Sequence, residues 1–348
     1  MRTLWATSGL ATIVLLAGAS LAMADTKPMP VPGTVNYVEG QVALDGQSLP
    51  AKLNGSTLLE TNQVLDTGQG KAEMLLTPGV YFRLGDNSEA RMVSPGLADT
   101  RVELVKGSAM LEVDQLYKEN DLSVVVGGTT TRIDKEGLYD FQAEPATVRV
   151  IDGKATVYEG DAHANVKKGH ELLVANAAPL KAHNLNKEAV ESDPLYRWSK
   201  LRGQYEADAN VNMAYSVAAY GGWYGPGWYW DPFWDFYSFL PGDGFFYNPF
   251  GWGFYSPGYV WGNPYLFGGW GGHYRYPVVG GHPVRGGHVP VARGFRSTPG
   301  FSRHSEAPMA GGFRSSGGGF HSSGFGGFHG GGFGGGGFHG GGGFGGRR

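Results

Sequence analysis

The sequence predicts an all-β module, a twisted sandwich or solenoid-like stack of short antiparallel strands, followed by one capping helix and a disordered tail rich in glycine and aromatic residues. Three observations carry this. From Thr34 to Pro179, apolar and polar residues alternate in short runs, the period of two that puts one face of a strand inward and one outward. Turn signals recur every 8–12 residues or so across the same span, the rhythm of a sandwich, barrel or short solenoid. Composition then breaks near Met213: every lysine lies before it, while 41 of the 60 glycines, seven of the nine tryptophans and seven of the ten histidines lie after it.

The N-terminal residues 1–24 read as an export signal. Arg2 supplies a positive start, Thr3 to Ala24 carry no charge, and Ile13, Val14, Leu15 and Leu16 form the apolar centre. Ala22-Met23-Ala24 offers the small-x-small site that a signal peptidase needs, so Asp25 is the expected first mature residue. The rival reading is an uncleaved membrane anchor, since about 20 apolar residues can just span a bilayer. The chain has no cysteine. Lipid attachment at a lipobox is excluded, and the mature module must hold together by its core without disulfides. Residues 25–33 read as a linker.

The β domain is expected over 34–180. Val35 to Val38 runs into Glu39-Gly40, and Gln41 to Leu44 runs into Asp45-Gly46. Asp45-Gly46, Asn54-Gly55 and Asp152-Gly153 are dipeptides favoured where tight turns need positive φ. Three stretches share one layout of strand, glycine turn and return strand: Val35–Leu44 about Gly40, Val102–Leu111 about Gly107, and Val148–Val157 about Gly153. Their spacings are unequal, so no solenoid of fixed period is expected. No amphipathic helical stripe of ten residues occurs in this span.

The order of these pieces resembles the FecR-type domain, the sensor part of iron-dicitrate-type regulators. The resemblance runs over roughly 34–175 through Val38–Val42, Gln63–Leu76, Gly79–Ser88, Val102–Gly107, Val148–Val157 and Val166–Leu172. It implies an exported, non-catalytic β domain that meets other proteins or surface polymers. Two departures matter. Where the family often has Gly-Thr-x-Phe, this chain reads Val126-Gly127-Gly128-Thr129-Thr130-Thr131-Arg132-Ile133. The regulators also carry a cytoplasmic anti-sigma domain before one membrane span, whereas only 24 residues precede the module here. The expectation is a divergent stand-alone member without the sigma-factor contact.

A helix is expected over 192–212. Ser192-Asp193-Pro194 combines cap residues with proline at the first helical position. Leu195, Trp198, Leu201 and Tyr205 recur on one face, with Arg197, Lys200, Arg202 and Glu206 on or near the other. Such a helix would pack on the β module and close an open edge, or bind a partner.

Residues 213–279 form an aromatic, Gly- and Pro-rich segment. Asp231-Pro232-Phe233, Asn248-Pro249-Phe250 and Asn263-Pro264-Tyr265 repeat an Asx-Pro-aromatic turn step. Three readings stay open: a loosely ordered run of aromatic stickers, a wrap that buries some rings on the module, or a binder of sugar polymer or membrane interface. Residues 280–348 are Gly, Phe, His, Ser and Arg of low complexity. One ring every four or five residues cannot offset the backbone entropy of glycine, so disorder and weak self-association are expected. Charge divides along the chain: residues 25–212 hold 19 Lys+Arg against 27 Asp+Glu, residues 213–270 three aspartates and no base, and residues 271–348 eight arginines and one glutamate. The basic end could fold back on the acidic module or reach an anionic surface.

No catalytic, cofactor-binding or metal-ligating residue is assigned, and the expectation is a protein that is not an enzyme. His170-Glu171-Leu172-Leu173-Val174 begins like a zinc-protease motif, but Val174 stands where the second histidine is needed. The tail histidines His273, His282, His288, His304, His321, His329 and His339 have no fixed ligand spacing. The basic end around Arg285 could grip nucleic acid, which export argues against. The sequence therefore reads as an exported envelope or extracellular interaction and assembly module, periplasmic or at the cell surface, with no stable membrane span once the signal is removed. Its expected partner is an envelope protein or surface polymer, with self-association through the tail; the alternative is a periplasmic sensor accessory that binds another envelope protein through the β domain.

Overall fold

The computed structural model of the chain describes residues 27–174 and 180–263. The expected signal peptide, the low-complexity tail with its histidines, and Arg285 lie outside the described residues. No helix among the described residues is long and apolar enough to cross a membrane.

Fifteen strands form one mixed, nearly barrel-shaped sheet: β1 (Thr34–Leu44), β2 (Gln47–Ser48), β3 (Val64–Leu75), β4 (Val80–Leu84), β5 (Glu89–Pro95), β6 (Thr100–Lys106), β7 (Ser108–Val113), β8 (Leu122–Val126), β9 (Thr129–Ile133), β10 (Gly137–Ala143), β11 (Ala146–Asp152), β12 (Lys154–Glu159), β13 (Ala162–Lys167), β14 (His170–Leu173) and β15 (Ala182–Asn184). The strand order is β13-β12-β9-β8-β6-β5-β3-β4-β7-β10-β11-β14-β15, with β1 paired along β3 and β2 on the end of β1. All pairs are antiparallel except β6 with β8. The long β3 joins the two halves: Val64–Asp66 pair with β5, and Ala72–Leu75 with β4. One apolar core lies between the halves, with Val102, Leu104, Val124 and Val157 from one side and Phe82, Leu111, Phe141 and Val148 from the other.

The three glycine-centred repeats do not make hairpins. β1 runs straight through Gly40 at a register shift opposite Gly70, while Gly107 and Gly153 separate strands that lie in opposite halves of the sheet. These glycines are corners where the chain bends or crosses from one half to the other, a common use of a bulge or kink. At Gly107 (φ +75°) an added Cβ would stand 2.2 Å from the Ser88 hydroxyl, and at Gly40 (φ +73°) 2.2 Å from the Gln69 carbonyl. A period-two pattern broken by glycine is the same for a hairpin and a corner, which is why the sequence reading took one for the other. The Asp45-Gly46 turn, with both residues at positive φ, is the hairpin the sequence predicts.

After β15 come α1 (Lys187–Ser192), α2 (Pro194–Tyr220), β16 (Gly227–Asp231), β17 (Phe236–Leu240), β18 (Phe245–Tyr247), β19 (Gly253–Tyr255) and α3 (Pro257–Gly262). Asp193 caps α2, its carboxylate accepting the backbone N–H groups of Leu195 and Tyr196, with Pro194 at the first helical position. This is the predicted start. The predicted end is not seen: α2 continues eight residues past 212 to Tyr220. The composition break at Met213 therefore falls inside a helix. β16 pairs with β17 and β18 with β19, and these two hairpins pack with α2 and α3 as a third layer, a cap on the sheet half that contains β4 and β7. Of the three readings of the aromatic segment, the wrap that buries rings is the arrangement of residues 227–255.

Candidate functional site

The cap covers a strand face that alternates away from the core. On β4, Val80, Phe82 and Leu84 join the central core, while Tyr81 and Arg83 point to the cap. On β7, Ala109, Leu111 and Val113 go inward, while Met110 packs with Leu195 of α2. Strands buried on both faces read as near-continuous apolar runs, but here the second face carries charge: Glu73, Arg83 and Glu112 are each 0% exposed.

Those charges select the buried face of α2. The face is Leu195, Ser199, Arg202, Gly203, Glu206, Asn210, Ala214 and Val217, and Leu201 is 46% exposed. The expected apolar stripe thus has its polarity reversed at Leu201, Arg202 and Glu206, and the helix lies on a sheet face rather than an edge. Helical spacing alone could not show this, because a charged residue is buried only when a partner waits for it. Gly203 admits the close approach: a Cβ there would sit 3.0 Å from the Asn248 amide.

Arg83 is the hub. Its Nε donates to Glu73 (2.9 Å), its Nη1 to Glu112, and its Nη2 to Glu206 (2.7 Å). Arg202 Nη2 donates to Glu73 at 2.8 Å and lies 3.4 Å from Glu206, and its guanidinium stacks between Tyr37 (4.1 Å) and Phe236 (4.4 Å). Burial acts to raise the Glu73 carboxyl, but Arg202, a hydrogen bond with Glu206, and Arg83 outweigh it and hold Glu73 well below the usual carboxylate range. Burial pushes Glu206 well above that range, with the charge of Glu73 adding to it against the pull of the two arginines. Burial also pushes Asp114, which continues the outward face of β7, well above its ordinary value, helped by the charge of Glu112.

Three asparagines fasten the cap. Asn36 of β1 donates to Glu73 (2.9 Å) and to the Tyr237 carbonyl (3.0 Å), and accepts the Tyr237 N–H (2.8 Å). Asn210 of α2 donates to the carbonyls of Phe239 and Tyr255 and accepts the Tyr255 N–H, so one amide ties both hairpins to the helix. Asn248 donates to Glu112 (2.6 Å) and accepts the N–H groups of Phe250 and Trp252. Asn248 and Asp231 are the Asx turns the sequence predicts; Asp231 accepts from Phe233 and Trp234. The residues after Asn263 in the third such step lie outside the described residues. The cluster itself was not legible in the sequence; the available signal was a polar residue with apolar neighbours on both sides, at Asn36 (Val35, Tyr37), Glu73 (Ala72, Met74) and Glu112 (Leu111, Val113).

The cap also exposes several aromatic rings. A cleft of about 380 Å³ opens between the end of α2, α3 and the loop after β17, walled by Val217, Ala218, Trp223, Gly242, Pro257, Gly258 and Trp261. Trp223 is 41% exposed and Trp261 68%. The Trp223 ring stacks on Tyr229 (5.7 Å, 9°), which also stacks with Tyr224 (4.2 Å, 12°). The Tyr229 hydroxyl donates to the Gly225 carbonyl and accepts the Tyr224 N–H. The Tyr224 hydroxyl donates to the Trp228 carbonyl, and burial pushes that phenol up to about 12. Trp223 is therefore mounted on a fixed base. A second cleft, of about 410 Å³, lies on the β module between Val31, Pro32, Leu58–Thr61 and Pro95.

The zinc-protease-like run is ordinary sheet. His170 lies on β14 with Nδ1 3.1 Å from the Lys168 carbonyl, and Glu171 pairs with Arg149 (3.1 Å). Among the described residues no three His, Cys, Asp or Glu side chains are grouped to hold a metal.

No family model matches the chain, and no curated protein matches it. Solved structures similar to it include two crystal structures of a "putative anti-sigma factor" from Parabacteroides distasonis ATCC 8503, at 1.65 Å and 2.50 Å. The identities are 14% and 13%, both with a TM-score of 0.32. The matches cover 40% and 45% of this chain, and 64% and 73% of those chains. The match with the first thus spans just under two thirds of its length.

Proposed function

We propose that the chain is an exported, non-catalytic interaction module of the cell envelope, and that the aromatic rim of its cap is the surface that meets a surface polymer or envelope protein. The observation that carries this reading is the contrast between the two parts of the cap. Arg202 and Glu206 of the cap are buried in the charge cluster, where no substrate reaches them, while large rings stand exposed at its surface: Trp223, Phe233 (78% exposed), Tyr220 (87%) and Trp261. Rings already held by neighbours lose little freedom on binding, and such residues supply a large share of contact energy. The FecR-like order of the strands agrees with a domain that binds rather than catalyses.

The test is co-sedimentation of the mature full chain with purified peptidoglycan sacculi and, separately, with outer-membrane vesicles. Replacing Trp223 and Trp261 together by serine is expected to weaken retention on one of the two by at least ~10-fold, the scale of losing a ring contact worth about 1–2 kcal/mol. Equal retention of wild type and variant on both would remove the cap from the reading. Retention lost only when Leu58 and Pro95 are changed would favour the sensor accessory that binds through the β module.

A further inference from the structure

We propose that the cap is a proton-linked lid: it closes on the sheet by taking up two protons into the buried charge cluster, and a rise in pH opens it.

Glu73, Glu112, Asp114 and Glu206 stand against two guanidinium groups, Arg83 and Arg202, and these are the only buried bases among the described residues. All six side chains are at most 6% exposed. Ionised throughout, the cluster would seal two uncompensated negative charges in the protein interior. The desolvation penalty of an unpaired buried charge is several kcal/mol even after relaxation, and a group so placed neutralises instead. Two of the four acids must therefore hold a proton when the cap is shut.

Geometry indicates where. Neither oxygen of Asp114 has a backbone or side-chain N–H donor within hydrogen-bond distance, which costs a buried carboxylate far more than a neutral acid. Asp114 lies two residues from Glu112 on one strand face, and is also faced by Arg83 and Tyr81 of β4 and by Glu136 of the β9–β10 connection. Glu206 shares its two guanidinium partners with Glu73, so one proton serves that pair. The groups facing Glu206 are Glu73 of β3, Arg83 and Tyr81 of β4, and Arg202 of its own helix. Glu206 belongs to the cap and Glu73 to the sheet, so lifting the cap hydrates the pair and frees its proton.

The sign follows. An acid raised in the closed state and ordinary in the open state binds more protons when closed. Its contribution to closure is complete below the ordinary carboxylate range and declines steadily above it, until the raised value is passed. For two such acids the opening equilibrium rises by up to about 100-fold per pH unit.

The experiment is amide hydrogen exchange on the full chain from pH 6 to 8, corrected for intrinsic exchange, comparing α2 and β16–β19 with the β8–β9 hairpin. The cap is expected to open more with each pH unit, by about 10- to 100-fold, and to open before β8–β9. In Asp114→Asn and in Glu206→Gln, neutral isosteres of the protonated acids, the slope should fall by about 10-fold per pH unit relative to wild type. If Glu206→Gln does not fold, Asp114→Asn alone decides. A pH-independent cap, a slope unchanged in the variants, or cap and β8–β9 opening together would overturn the proposal.

Discussion

Arg83 shows how much of this fold depends on single side chains. Each of its three donor directions ends on a different carboxylate, drawn from β3, β7 and α2. Removing it would leave Glu73 and Glu206 sharing Arg202 and Glu112 without its Arg83 ion pair, and breaking a buried pair from one side costs roughly 3–5 kcal/mol. Arg83→Ala should therefore lose most of the stability of the chain in urea unfolding, whereas Arg91→Ala, whose pair with Glu103 sits at the surface, should barely move the midpoint. Similar losses in both would mean that the buried cluster is not what binds cap to sheet. Asn36 and Asn210 act in the same way at lower cost: each uses a side-chain amide to imitate a strand edge for a backbone that has no sheet neighbour there. None of these roles can be read from one position alone. Arg202 on a helix surface and Arg202 between Tyr37 and Phe236 have the same local sequence, and only the partner strand decides.

At the scale of elements, what was legible followed from local chemistry. The period-two strands, the Asp45-Gly46 hairpin, the Asp193-Pro194 helix start, and the Asx turns at Asp231 and Asn248 all depend on residues within a few positions of one another. What was not legible depends on distance. Gly107 is a corner because β6 and β7 join opposite halves of the sheet, a fact of pairing with β5 and β4. The end of α2 was misplaced because the loss of lysine after Lys200 looked like a domain boundary, whereas Ala214 and Val217 continue the buried face into the hairpins. The clefts were not legible either, since Trp223 and Trp261 come to line one cleft only once α3 folds back on α2. Truncation tests the elements directly. A chain ending at 212 loses β16–β19 and uncovers Leu75 and Tyr81, which now pack on Trp228 and Phe239. Each buried ring of this size covers about 150–250 Å². The 25–212 fragment should unfold at markedly lower urea than 25–263 and bind an apolar dye. Equal midpoints would show that the hairpins are ornament.

At the largest scale, the described residues form three layers: two facing halves of one sheet around an apolar core, and a cap held by charge and aromatic rings. The amino-acid composition divides at Met213, but the fold described here divides nowhere before Asn263. The central claim is that the cap belongs to the same folded body as the sheet. Limited proteolysis of the full-length protein at pH 6, read by intact mass and peptide mapping, tests it most directly, because cleavage reports exposed backbone before buried backbone. A resistant core that retains residues 194–255 together with 34–174 is the predicted result. A resistant core that ends near residue 212, with the aromatic hairpins cut away at the same rate as the glycine-rich C-terminus, would contradict it.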